Sequence, residues 1–460
     1  MREVPIAPIA AGCGSQRVGI WWRLRCAAAA VVAVGLSGCA TVQPAQNPPA
    51  LPANAAYSSP IPEYRAQNLQ RGDNSDALLL SMTFSGGGMR SAAASYYLLD
   101  AFRQQQVRID GREKPLLHEI DFISSISGGS FTAAYYTLYR DRLFTDYLPQ
   151  VIRRDVQGEL IAGLFKPRNA WRLGSDTYGR GDYLAEHLDR IIFAGKTFAD
   201  LPRERPFLRI GAADMLTGKR VEFTQDGFDQ LCSRLDGVPI ARAVAASAAV
   251  PGVFSPINVA DYSADCANAG RTPPRYRHLV DGGVADNLGI SGTLQAVGRY
   301  SSVVDAMRTI GFRGIRHIAV VILNVENTTS ARTDGTASIP SLRRTISAAI
   351  DGNMHADSEE ITETLRRRME EWRRQIAEDP SAVADHIYAT PMPEVFLIEI
   401  GFAQVPDPAL RARLQAIPTA LRVSEEDQTL LRDFIRDALR RSPEYRGLLQ
   451  ALARETPALR

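Results

Sequence analysis

At 460 residues, with 45% hydrophobic and 23% charged residues, the chain has the composition of a globular protein and is neither a disordered nor a collagen-like one. Its formal net charge is +2, but four arginines and one glutamate fall within the first 38 residues, a surplus of +3 that leaves −1 on the remainder. Without a concentrated basic surface, nucleic acid is excluded as a main partner.

The first elements read as an address. Arg23 and Arg25 precede an uncharged run over residues 26–36, which is too short to span a bilayer and has the character of the apolar part of an export signal. Leu36-Ser37-Gly38-Cys39 follows and resembles the lipobox of bacterial lipoproteins. The resemblance implies cleavage before Cys39, lipidation of its sulfur and a membrane anchor in the bacterial cell envelope. Ala40, in the position after the cysteine, implies the periplasmic face of the outer membrane. The other reading is an ordinary cleaved secretory signal with a chance cysteine. Residues 1–38 are thus expected to be a signal peptide. Residues 39–75, rich in Pro and Ala, read as a membrane tether. Of the cysteines beyond Cys39, Cys232 and Cys266 either pair or stay as two solitary thiols. No Cys/His spacing suggests a metal site, and no cofactor is expected.

From residue 76 short apolar runs alternate with helical patterns: a strand over 77–84, a helix over 91–106, a strand over 120–126 and a second helix reaching Tyr139. This is the signature of an α/β fold, with helices layered on a mainly parallel sheet. Further strands are expected at 207–213, 220–224, 277–280 and 317–324. Between about 141 and 206 lies a helical insertion carrying Phe144, Tyr147, Leu164, Phe165 and Trp171. It is either a lid or membrane-touching surface, or a set of helices packed over the sheet. The domain is expected to span 76–330. Residues 331–460 then form a mostly helical region packed on it, with a charged helix over 341–379, a strand-like segment at 395–402 and no chemical motif.

Three motifs carry chemistry. In the first, the strand ending at Phe84 runs into Gly86, Gly87 and Gly88 and then a helix. Unhindered backbone N–H groups at a helix N-terminus suit a developing negative charge, so the turn fits an oxyanion hole or a phosphate cradle. The cradle lacks its lysine, and the dinucleotide fingerprint fails because Ser91 occupies its last glycine position. In the second, Ser127 sits where a strand meets a helix, flanked at two positions either side by Ser125 and Gly129. A nucleophile elbow needs small neighbours there, and Ser125 departs from the usual glycine. A capping serine at a helix start is the plainer alternative. In the third, Asp281 ends a strand ahead of Gly282 and Gly283, a carboxylate placed to take a proton from Ser127 if it lies within reach. Asp214 and Asp286 read as turn-stabilising groups and Asn287 as a helix cap.

In this order the three blocks resemble those of the patatin-like lipolytic acyl hydrolases, as do residues 211–223 and 243–256; the resemblance covers about 76–325. It implies a Ser127–Asp281 dyad without histidine, an acyl-serine intermediate, and phospholipids or lysophospholipids of a membrane as substrate. Ser85 to Arg90, Ser-Gly-Gly-Gly-x-Arg, is similar to the motif of cytosolic animal phospholipases, which implies an auxiliary role for Arg90. A helix-surface ion-pair partner is its other reading. His278 stands three residues before Asp281, a spacing that turns it to the opposite strand face, so it reads as structural. The rival functions are a non-lipid esterase or thioesterase on the same fold and a catalytically silent scaffold lipoprotein of the envelope.

Overall fold

The run Leu78–Phe84 forms strand β1, buried on both faces, as expected for a strand inside a parallel sheet. In a computed structural model, residues 44, 46–50, 63–268, 271, 273–327, 342–388 and 392–454 are described. Cys39 and the export segment lie outside the described residues. The other strands are β2 (Gln106–Ile109), β3 (Arg112–Pro115), β4 (Ile120–Ile126), β5 (Phe207–Asp214), β6 (Arg220–Glu222), β7 (Ile257–Asp261), β8 (Arg275–Asp281), β9 (His317–Asn324) and β10 (Glu394–Gly401). β2 and β3 pair as a separate hairpin. The rest form one sheet in the order β10-β9-β1-β4-β5-β8-β7, with β6 also on β5. β10, β9, β1, β4 and β5 are parallel, whereas β8 runs antiparallel to β5 and β7 antiparallel to β8.

Helices cover both faces. Five of them frame the site: α1 (Gly88–Gln104), α2 (Gly128–Tyr139), α3 (Ile240–Ser247), α4 (Leu342–Glu378) and α5 (Glu425–Arg441). α1 packs against α2 and α5 on one side of the sheet, and α4 packs on the other side against the short helices of residues 283–310. The long charged helix expected at 341–379 is α4. Beside its ion pairs it carries Leu365, Met369, Trp372 and Ile376 at helical spacing, a stripe that joins the apolar clusters on that face. Among the described residues, no helix is long and apolar enough to cross a membrane.

Two boundaries differ from those read in the sequence. Folded structure begins before residue 76: the Tyr64 ring is fully buried, lies 4.9 Å from Phe207, and its hydroxyl accepts the Leu208 N–H at 2.8 Å. Asn47, inside the expected tether, exchanges two hydrogen bonds with the Ala260 backbone at 2.8 and 2.9 Å. A Pro/Ala-rich composition shows the lack of a period but cannot show docking to a distant strand. The region beyond 330, expected as a mostly helical part packed on the domain, also supplies a strand to it, because its β10 completes the sheet against β9. In the insertion the apolar residues divide. Tyr147 is buried, Phe144 and Leu164 pack on the core, and Phe165 and Trp171 remain exposed. Cys232 and Cys266 form a disulfide with Cα atoms 5.4 Å apart, closing a separation of 34 residues. In chain-entropy terms such a closure contributes about 4 kcal/mol.

Because β10 is integral, its inward face should behave as core. Ile398 is fully buried, so Ile398→Ala is expected to cost about 2–5 kcal/mol. Leu397, half-buried on the other face, should cost less. Urea midpoints of the two variants check this, and equal losses would contradict the placement.

Candidate active site

β1 and β4 are adjacent and parallel, so their C-terminal ends open onto the same edge, and each turns directly into a helix. The two turns touch. A Cβ built on Gly128 would stand 1.9 Å from the Gly88 carbonyl oxygen, and one on Gly129 2.8 Å from Phe84. Only glycine permits that approach. Ser127 is the residue at the β4 turn, with φ 49° and ψ −123°, a positive φ that a side chain rarely adopts. This is the strained geometry of an elbow, and it rules out the plainer capping role, since the Ser127 side chain makes no cap hydrogen bond to α2.

The Ser127 hydroxyl donates to Asp281 Oδ2 at 2.7 Å, and both residues are buried. Asp281 Oδ1 accepts the Gly283 N–H at 2.9 Å, so the carboxylate is oriented by its own Asp-Gly-Gly turn. Asp281 arrives against the direction of the parallel strands. β8 is antiparallel, so its C-terminal end is not part of the edge formed by the parallel strands. It overlaps β5 by only three residues, Leu279 to Asp281 against Asp214 to Ala212, and the remainder projects past the edge. Asp281 therefore enters from above and stops level with the end of β4.

Ser125 occupies the position where glycine is usual, and its hydroxyl donates to the Arg209 carbonyl at 3.1 Å. His278 lies on the other face of β8, its Nδ1 at 2.6 Å from Asn258 Oδ1 on β7. Asp214 accepts from the backbone N–H groups of Leu216 and Thr217, as a turn carboxylate does. Asp286 does more than hold a turn. It accepts the Gly289 and Ser291 N–H groups and pairs with the buried Arg220.

The glycine turn divides by function. The Gly86 N–H is consumed by the Asn287 backbone oxygen at 3.1 Å and side-chain oxygen at 3.2 Å, so Gly86 is corrected from a possible oxyanion donor to a packing position. A Cβ there would meet Asn287 Oδ1 at 2.3 Å. Gly87 and Gly88 have positive φ, and among the described residues no protein acceptor faces their N–H groups. Asn287 is thus a brace for this loop and not a helix cap; the following helix Ile290–Val297 is capped by Gly289. Arg90 is only 1% exposed, which removes the surface ion-pair reading. Its guanidinium lies beside Gly87 and donates to the Ile417 carbonyl at 2.6 Å. Ser247 was missed in the sequence. Its hydroxyl accepts the Ser127 N–H at 2.8 Å and donates to the Gly211 carbonyl at 2.6 Å, tying the elbow to β5. A lone serine in an alanine-rich helix is a faint signal for such a role.

Beneath Asp281 lies a buried ion network in which Arg220 faces Asp286 and, at 3.2 Å, Glu222. Burial alone would raise the Glu222 carboxyl, but Arg220, Arg209 and Arg299 outweigh it and hold it below the ordinary carboxylate range. Among the described residues no cluster of three or more His, Cys, Asp or Glu could hold a metal ion.

The strained elbow serine bonded to a carboxylate above a mainly parallel sheet is the arrangement of an α/β serine hydrolase. Residues 82–294, which include Ser127, Asp281 and all three turn glycines, match the sequence model of the patatin-like phospholipases, and this part of the chain is a patatin-like phospholipase domain. No curated protein matches the chain. Similar solved structures include human GIVD cytosolic phospholipase A2, at 14% identity and a TM-score of 0.42, over 84% of this chain and 62% of that one. The same enzyme with a methyl gamma-linolenyl fluorophosphonate inhibitor gives 14% and 0.39, over 84% and 61%. VipD from Legionella pneumophila gives 13% and 0.27, over 82% and 72%. The chain thus spans about three fifths of the length of the human enzyme.

The ion network generates a pH prediction. With its folded-state value below the unfolded one of about 4.3, Glu222 contributes stability that is complete above that value and is lost as pH falls through the lowered one. Glu222→Gln should lower stability at neutral pH by up to about 3–5 kcal/mol and flatten the loss between about pH 5 and 3. Urea midpoints across that range test it; parallel slopes for wild type and variant would exclude the role.

Proposed function

We propose that the chain is a lipid acyl hydrolase that cleaves carboxylic ester bonds of phospholipids or lysophospholipids through a Ser127–Asp281 dyad. The observation that carries this reading is the 2.7 Å hydrogen bond from Ser127 Oγ to Asp281 Oδ2 at a strained elbow. Ser127 Oγ attacks the ester carbonyl carbon while its proton passes to Asp281. The oxyanion that forms is stabilised by the Gly87 and Gly88 N–H groups at the start of α1. Collapse expels the alcohol, protonated by Asp281, and leaves an acyl-Ser127. Asp281 then takes a proton from water, which attacks the acyl group and releases a fatty acid. Arg90 is a positioning residue that holds the Gly87 backbone from behind. His278 has no part, since its ring is turned to Asn258. The Cys232–Cys266 bridge supports an oxidising, exported setting.

A serine hydroxyl without its base loses about 10² to 10⁴-fold in rate. Asp281→Asn keeps an acceptor for the Gly283 N–H and is expected to lose lipid hydrolysis on that scale while remaining folded. Ser127→Ala should abolish both turnover on phosphatidylethanolamine vesicles and covalent labelling by a fluorophosphonate. His278→Gln should leave both within a few-fold of wild type. Labelling that survives Ser127→Ala would overturn the assignment, and hydrolysis confined to soluble short-chain esters would replace lipid by non-lipid substrates.

Anchoring through Cys39 is a separate part of the reading. Cys39→Ser should move the protein from the membrane fraction to the soluble periplasmic fraction with its hydrolase activity intact. A variant that stays membrane-bound after a high-salt wash would contradict it.

A further inference from the structure

On the face of the sheet covered by α4 there is a cavity of about 270 Å³, lined by apolar side chains such as Leu79, Phe122, Val297, Ile310, Phe312 and Trp372. It is separate from the candidate active site. None of Ser127, Asp281 and the turn glycines lines it, and Phe122 lies five residues before Ser127, about 16 Å along a strand.

Three arginines line this space: Arg299 is paired with Asp226 at 3.7 Å and Arg373 with Glu370 at 3.5 Å, and the third is Arg209. Arg209 projects from β5, is 8% exposed, and has its guanidinium 5.9 and 5.8 Å from the Phe122 and Phe207 rings. Its Nη1 donates to the Gly292 carbonyl at 3.2 Å. Among the described residues, no carboxylate lies within 4 Å of it. Three other buried arginines differ: Arg205 faces Asp121 at 2.7 Å, Arg242 faces Asp182 at 2.7 Å, and Arg220 faces two carboxylates. The acidic residue that does line the cavity, Asp226, is already held by Arg65 and Arg299. Burial is the largest influence on Arg209 and pushes its pKa below the ordinary value, against a weaker pull from Glu222. A guanidinium removed from water with no anion in contact pays a desolvation cost that the pull of Glu222 offsets only in part. Retaining a cation there fits a site whose anion arrives with a ligand.

We propose that this cavity binds a fatty acid anion, its carboxylate on Arg209 and its chain among the apolar residues. A carboxylate is planar and matches the guanidinium fork, and the rest of such a ligand is a single apolar chain. The proposal concerns binding alone and stands apart from the dyad.

The test uses the full chain carrying Ser127→Ala, titrated calorimetrically with sodium decanoate below its micelle concentration and, in parallel, with 1-decanol. One saturable site for decanoate is expected. Ala296→Trp, which fills the cavity from the helix Ile290–Val297, should weaken both ligands at least about tenfold. Arg209→Met should weaken decanoate about tenfold to a hundredfold, the scale of a lost charge-assisted contact, and change decanol little. The proposal is overturned by absence of saturable binding, or by decanoate binding that Ala296→Trp leaves unchanged, which would locate the ligand elsewhere, the Ser127 cleft included. Loss of decanol and decanoate in equal measure with Arg209→Met would make Arg209 structural and overturn it as well.

Discussion

The backbone of Gly88 and that of Gly128 approach so closely that no side chain fits between them, since a Cβ on Gly128 would fall 1.9 Å from the Gly88 oxygen. Nearly everything at the site follows from that contact. Parallel pairing of β1 with β4 brings two strand-to-helix turns to one edge, and the absence of side chains lets them abut. One turn then presents backbone N–H groups at the start of α1, and the other raises Ser127 beside them. Had Gly128 been alanine, the turns would separate and the hydroxyl would no longer stand over the glycine loop.

The carboxylate reaches this point by a different rule. β8 enters against the direction of its neighbours and stops after three paired residues, so that Asp281 lies level with the last residue of β4. Ser247 fixes that depth from below. Its hydroxyl bonds both to the Ser127 N–H and to the Gly211 carbonyl, and its own carbonyl accepts the Gly282 N–H at 3.0 Å. The Arg220, Asp286 and Glu222 network secures the segment that follows. A buried charge network of this kind is costly to break, because each ion would be left without its partner, and it therefore resists displacement of Asp281.

The region after residue 330 takes part in the site without contributing chemistry. The Ala420 carbonyl accepts the Met89 N–H at 2.7 Å, and the Ile417 carbonyl holds Arg90. A Cβ on Gly88 would strike Ala420 at 2.5 Å, so this loop closes the back of the glycine turn. β10 and α5 anchor that loop, the first through β9 and the second against α1. The hydrophobic core and the candidate site are therefore held by the same distant segment.

Much was legible in the residues alone. Apolar runs of seven or eight residues mark β1, β4 and β9, and the Gly or Ser clusters after the first two mark their turns, because strand period, helix start and glycine freedom are local properties of the backbone. For the same reason Ser127, Asp281 and the glycines stood out by spacing. β7 and the β2–β3 hairpin did not, being short and weakly patterned, and β8 gave no sign of its direction. Which partner each polar group meets was decided only in three dimensions. Gly86 loses its N–H to Asn287 across 201 residues, Ser127 finds Ser247 across 120, and Arg90 is buried by a loop 327 positions away. A hydrogen bond between such positions depends on strand order and register, which a local pattern does not encode, so the sequence named the candidate groups and the tertiary structure alone brought them within reach.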